Sequence, residues 1–441
     1  MELRGGSRTT KSLPRPLLPR TAVELIRLRR SERWPVERVR AEQIARLEAT
    51  WDTAMRSPFW ARHLAGSSVP RTVGDLGSLP LVDKAMLRAV PERERLTADA
   101  SEARRVIRTS GTTGESFSVP YSRWGAWYQG VLQLRLDSRQ RSRPWERRVS
   151  VDVFPTERGT SRIKRATRYR RVCVDPLDVA SAGRELVAAD PNTIIGPAHL
   201  LIEVDDAIGD RHLRPRSVGT RGETLTPEHR AAVKAAFGVD PTDAYGTSEC
   251  GMVAWQCEAA DLYHVNHEAV IVEILGADGE PAPPGELGEV VLTSLWNELT
   301  PFIRYRIGDS ASWAPRACRC GYAQPAIAEI VGRNPDWLID ASGRRVSPSR
   351  LWLSVHLGVE ALPRVRRYCV RQHLDGRVVV EIVPGPGFTE DDGRRLQASY
   401  RDVLGDVGIE VRLVDAVTVA AGRKFETISS EAGRANEART Q

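Results

Sequence analysis

Lysine is scarce in this chain of 441 residues. It occurs at Lys11, Lys84, Lys164, Lys234 and Lys424, against a total of 64 basic residues. Nearly every fixed positive charge is therefore arginine, which stays charged in any environment and cannot serve as a tunable amine. Lys424 stands alone in the last two hundred residues, which marks it for a specific task. Long apolar runs are also missing, and the mean hydropathy is −0.35. No window approaches the roughly 18 to 20 apolar residues of a membrane helix. Residues 1–20 hold Arg, Ser and Pro without the apolar stretch of a secretion signal, so a flexible basic arm and a cytoplasmic protein are expected. Six cysteines are too few for a disulfide framework at this length. The net charge of +7 comes from arginines dispersed among 57 acids. No concentrated footprint for nucleic acid results, and a nucleic-acid-binding protein is the weakest reading.

What is present has the rhythm of a multi-domain α/β protein. Val36, Val39, Ile44, Leu47 and Trp51 recur at helical spacing behind Pro35. From Val149 short β-branched runs alternate with helical stretches: a strand to Phe154, a helix over Ser181–Ala189, a strand at Thr193–Ile195, a helix over Pro227–Phe237, a strand at Asp243–Tyr245. Ala269–Leu275 and Glu289–Thr293, joined through glycines and prolines, read as a β-ribbon. The last hundred residues make a smaller α+β unit. It has a helix near Pro348–Leu357, strands at Val365–Arg371, Val378–Val383 and Glu410–Val414, and a helix opened by Thr389 with Asp392 three residues on. The boundary falls near Gly332–Asp336.

Three segments carry chemistry. Thr109-Ser110-Gly111-Thr112-Thr113-Gly114 offers hydroxyls and backbone N–H groups to phosphate oxygens, without the lysine and glycine spacing of a Walker loop. Tyr245-Gly246-Thr247-Ser248-Glu249 places a stacking ring near a carboxylate able to hold Mg²⁺. In Arg304-Tyr305-Arg306-Ile307-Gly308-Asp309 the aspartate suits a ribose diol and an arginine suits a phosphate, although a surface ion pair explains the same residues.

In this order, together with Ser57-Pro58-Phe59-Trp60, Leu79-Pro80-Leu81 with Lys84, Gly222-Glu223, and Gly332-Arg333 with Asp336, these segments resemble the adenylate-forming ligase superfamily. The resemblance is greatest to its phenylacetate-coenzyme A ligase-like and capsule-biosynthesis-type branch, and covers most of the chain. It implies a large adenylation domain (21–333) with mixed sheets and a β-ribbon, and a small mobile α+β lid (337–441). Residues 109–114 would cradle the ATP phosphates, and Gly222, Glu223 and Tyr245 would bracket the adenine beside Gly246. Thr247 would touch the α-phosphate or the acid's carboxylate, Glu249 would bind Mg²⁺, and Asp309 would take the ribose with Arg333 close by. Asp336 would be the hinge. Lys424, in Gly422-Arg423-Lys424-Phe425, would bridge phosphate and carboxylate during adenylation, with Arg423 as competitor for that role.

The expected activity is ATP-dependent adenylation of an organic acid, with acyl transfer most readily to the thiol of coenzyme A. An aryl or apolar acid would suit Trp127, Tyr128, Met252 and Trp255. An amine acceptor and a non-catalytic relative are the alternatives. Glu115 after the phosphate loop removes a cation found in many relatives, and the loop at Gly343–Pro348 lacks their asparagine. Cys257, His264, Cys318 and Cys320 form a suitable set for tetrahedral Zn²⁺, with Cys250 or His267 as substitute ligands and reduced buried thiols as the metal-free alternative. Cys173 and Cys369 read as plain core.

Overall fold

The computed structural model describes residues 17–98, 100–109, 117–140, 146–152, 169–174, 179–209, 211, 213–333, 338–346, 365–385, 387–417, 428–433 and 435. Ser110–Gly114, Asp336 with its expected hinge role, Lys424, the part of the expected basic arm before residue 17 and the helix expected near 348–357 lie outside them. Of Arg333 and Thr109 the backbone alone is described.

A hairpin of β1 (Arg105–Thr109) and β2 (Phe117–Tyr121) leads into a helix, Arg123–Arg139, capped by Ser122. The strands that follow join into one mixed sheet of eleven. One half is parallel: β3 (Arg148–Asp152), β4 (Tyr169–Cys173), β5 (Thr193–Gly196), β6 (Ser217–Arg221) and β7 (Thr242–Thr247). The other half is antiparallel: β8 (Gly251–Gln256), β9 (Tyr263–Val265), β10 (Val270–Leu275), β11 (Gly288–Ser294), β12 (Tyr305–Trp313) and β13 (Ala326–Arg333). The order is β10-β11-β12-β13-β9-β8-β7-β6-β5-β3-β4. The ribbon expected from the sequence is thus the β10–β11 end of a continuous sheet.

Parallel strands need crossovers, and the helices Val179–Ala189, Ala198–Ile208 and Pro227–Phe237 supply them. The last shows why its bounds are legible: Pro227 sits at the first helical position, Thr226 Oγ1 accepts from His229 N, and Gly238 closes the helix in the left-handed conformation. Their apolar faces bury Leu186, Leu201, Val204, Val233 and Phe237 against Val149, Ile194 and Val218. Each such side chain contributes about 1.5–3 kcal/mol. A second cluster joins Leu28, Leu47, Trp60 and Tyr128 to the antiparallel strands through Val253, Val290, Leu292 and Phe302.

The C-terminal part has its own sheet and core. β14 (Leu338–Ile339) pairs with β15 (Arg345–Val346), and β16 (Val365–Gln372), β17 (Val378–Pro384), β18 (Ile409–Leu413) and β19 (Ile428–Ser430) line up as β18-β17-β16-β19. The helix Glu390–Leu404 opens with a capping box between Thr389 and Asp392 and buries Leu396, Tyr400 and Leu404 against Val370 and Val380. Cys369 is buried, whereas Cys173, expected in the core, is exposed on β4 at the sheet's edge.

Candidate active site

The β7–β8 turn is the structural centre of the site. Residues after the parallel strands' carboxyl ends are where open α/β sheets bind ligands, and Arg221 at the end of β6 is paired with Ala244 of β7. Gly222 and Glu223 therefore emerge beside Tyr245. Gly222 has φ +87, a conformation side chains rarely adopt. At Gly246 a Cβ would lie 2.9 Å from the Gly251 carbonyl, so the narrow hairpin requires glycine.

Four groups hold the turn from behind. The Thr247 hydroxyl accepts from Cys250 N at 2.8 Å, and Tyr121 Oη donates to the Ser248 carbonyl at 2.7 Å. Trp296 Nε1 donates to the Cys250 carbonyl at 3.1 Å, and Gln129 Oε1 accepts from Met252 N at 3.3 Å. Burial, then the Glu249 carboxylate, push the Cys250 thiol up, so it stays neutral beneath the turn.

β12 crosses in front. Three strands separate β12 from β7 in the sheet order, yet Tyr245 Oη donates to Asp309 Oδ2 at 2.7 Å. Tyr305 Oη donates to Glu249 Oε1 at 3.2 Å, and Lys84 Nζ lies 3.5 Å from the same oxygen. These contacts bring two carboxylates and two tyrosines together at the end of β7. Glu249 is buried; a hard divalent cation is the partner such a carboxylate suits next to phosphates.

Two expectations require correction. No arginine of the 304–306 run faces this site. Arg304, buried with φ +45, donates to Glu273 and to the Gly77 and Leu79 carbonyls, and Arg306 pairs with Glu289. The aromatic residues proposed for the acid are used in packing: Trp127 Nε1 donates to Thr21, Tyr128 lies under Arg46, and Trp255 lies under Arg135. Sequence reasoning also passed over Tyr305, Gln129, Tyr121 and Trp296, and gave Lys84 no role. The one available signal was that Tyr305 lies in the same run as Asp309.

Cys257, His264, Cys318 and Cys320 do converge, with one donor atom from each inside 4.8 Å of all the others. The Cys257 and Cys318 sulfurs are 3.6 Å apart, and Cys320 Sγ lies 3.2 Å from His264 Nε2. Tetrahedral sulfurs at about 2.3 Å from zinc would be about 3.8 Å apart, so the set fits that ion. Burial, then Arg139, lower the His264 imidazole to about 4, which keeps the ring a neutral ligand. Cys250 and His267 are not in this group. Cys250 lies under the β7–β8 turn, and His267 Nε2 contacts the Pro325 carbonyl.

No family model matches the chain. Among curated proteins, the phenylacetate-coenzyme A ligase of Thermus thermophilus is 26% identical over 337 residues, covering 73% of this chain and 76% of its own. That of Aromatoleum evansii is 36% identical over 154 residues, a third of each chain. A crystal structure of 2-hydroxyisobutyryl-CoA ligase in the postadenylation state superposes with TM-score 0.76 over 93% of this chain and 94% of that one, at 19% identity. The chain is thus similar in sequence to phenylacetate-coenzyme A ligases and shares the fold of 2-hydroxyisobutyryl-CoA ligase.

Proposed function

We propose that this protein adenylates an organic carboxylic acid of aryl or apolar type and passes the acyl group to the thiol of coenzyme A. The observation that carries the reading is the pair of carboxylates, Asp309 and Glu249, brought to one strand end by Tyr245 and Tyr305. Tyr245 and Gly222–Glu223 bracket the adenine, and the tyrosine hydroxyl orients Asp309 toward the ribose diol. Thr247 has its oxygen engaged by Cys250 N, so its O–H is the group that faces an anion. Glu249 holds Mg²⁺, which supplies charge neutralisation at the phosphates. An oxygen of the acid attacks the α-phosphorus as the bond to pyrophosphate breaks. Catalysis is mostly positioning and charge stabilisation.

The family resemblance assigns residues 109–114 to the triphosphate and Arg333 to the nucleotide's edge. It assigns Lys424 to the developing charge and Asp336 to the hinge of a lid formed by 337–441. In the second step the thiol sulfur bonds to the acyl carbon, AMP leaves, and the thiol proton is released. The names of the curated relatives support coenzyme A and an aryl acid, and a cytoplasmic setting follows from those substrates. The four-residue cluster we assign to structural Zn²⁺.

Pyrophosphate release from ATP over a panel of acids, phenylacetate included, tests this. Release that requires an acid, with a thioester on adding coenzyme A, is expected. Amide formation from an added amine, with no thioester, would instead name an amine acceptor. No release with any acid would remove the ligase reading.

A further inference from the structure

We propose that Lys84 is a second lysine of the reaction: it neutralises Glu249 before the metal binds, then moves to the acid's carboxylate once Mg²⁺ takes its place. The inference deepens the ligase reading above and rests on it. Lys84 is anchored at its backbone and adjustable at its tip. Val82 bridges to Tyr305 of β12, its N–H donating to the Arg304 carbonyl at 3.1 Å and its carbonyl accepting from Arg306 N at 2.8 Å. Asp83 then accepts from Met86 N at 2.7 Å and starts the short helix Lys84–Arg88. These contacts fix the Lys84 Cα beside the same strand that carries Tyr305 and Asp309. From there the ammonium reaches Glu249 Oε1 at 3.5 Å while keeping about a quarter of its side chain exposed, against 8% for the glutamate.

The chemistry of that single oxygen forces an exchange. Tyr305 Oη and Lys84 Nζ both address Oε1. The Tyr305 ring is buried at 2% exposure and keeps its place. An ammonium and a divalent ion on one carboxylate repel each other, and the group on the flexible four-carbon stem is the one that yields. The anion that must then be held near the metal is the acid's carboxylate, which the triphosphate repels. A compact ammonium can change partners in this way, whereas a guanidinium would be committed to a fork geometry. Being in the large domain, Lys84 is present whatever the position of the segment that carries Lys424.

The test uses the full-length protein with Mn²⁺ as a spectroscopic probe in place of Mg²⁺, titrated with a non-hydrolysable ATP analogue present. In Lys84→Met, Mn²⁺ should bind three- to tenfold tighter than in wild type, and Glu249→Gln should lose that binding. In steady state Lys84→Met should raise the acid's KM at least tenfold while the KM for Mg·ATP does not rise, with an unchanged melting midpoint as the control for folding. Lys84→Arg should return Mn²⁺ affinity toward wild type. Unchanged or weaker Mn²⁺ binding in Lys84→Met, or Mn²⁺ binding that survives in Glu249→Gln, overturns the exchange. Acid turnover by wild type with an unmoved acid KM in Lys84→Met overturns the lysine's second role alone. If wild type turns over no acid, the ligase reading falls, while the Mn²⁺ titration still decides what Lys84 does at Glu249.

Discussion

Asp243 shows how a residue next to the site is governed by burial. It accepts from Thr220 Oγ1 at 2.7 Å and from Tyr263 Oη at 2.8 Å, and burial, larger than those hydrogen bonds, pushes its carboxyl up to about 6. The unfolded chain releases this proton near 4 and the fold retains it to about 6. Between those values the native state binds more protons, so stability from this group falls as pH rises through the window, by about 3 kcal/mol in all. Denaturation midpoints measured from pH 3.5 to 7 should show that decline, and Asp243→Asn should flatten it. At the neighbouring Tyr245, Tyr245→Phe deletes the hydroxyl's hydrogen bond to the Asp309 carboxylate. A loss of about 1.5–3 kcal/mol, the scale of a hydrogen bond to a charged group, should raise the KM for ATP about tenfold or more with kcat less affected. The residue types at these positions were legible because a ring, a small turn residue and a carboxylate recur within five positions. The Tyr245–Asp309 contact was not, since it joins strands 64 residues apart in sequence.

Elements were legible where local chemistry decides them. The helix Pro227–Phe237 and the capping box at Thr389 follow from their own end residues, and β10 with β11 from their β-branched runs and the glycine- and proline-rich connection. The short strand Tyr263–Val265 was not legible, because three residues carry no periodicity; its pairing to β8 on one side and β13 on the other makes it a strand. That strand also carries His264, so the proposed zinc site clamps β8, β9 and the segment leading into β13. Cys318→Ser should lose about one zinc per chain and lower the melting midpoint by several degrees, measured by metal analysis and calorimetry; a wild-type protein folded without metal would dismiss the site. Arg304 tells the complementary story for β12. In a run whose arginines suited either a phosphate or an ion pair, it takes the ion pair, tying the strand's start to Glu273 and to the loop at Gly77–Leu79. Arg304→Ala leaves the half-buried Glu273 without its counter-charge, and a loss of about 3 kcal/mol is expected in denaturant unfolding.

For the whole molecule, the scarcity of lysine becomes a division of labour. Fifty-odd arginines can hold carboxylates and carbonyls in fixed geometry, as Arg304, Arg135 and Arg306 do, because their charge and fork never change. The two lysines given reaction roles are one in the large domain, beside Glu249, and one in the segment the resemblance assigns to the lid. On that assignment Lys84 acts independently of the lid, and the two half-reactions separate the two lysines. Lys424→Ala should lose about 100-fold or more in acid-dependent pyrophosphate release, the scale of removing one charge-stabilising group. The same variant should still convert a presynthesised acyl-adenylate and coenzyme A to thioester at nearly the wild-type rate, measured in a single turnover. Lys84→Met should show a loss of adenylation that saturating acid largely restores. Equal damage to both half-reactions in Lys424→Ala would mean that the lid lysine holds the fold or the nucleotide and does not serve adenylation specifically, and the division between the two lysines would have to be abandoned.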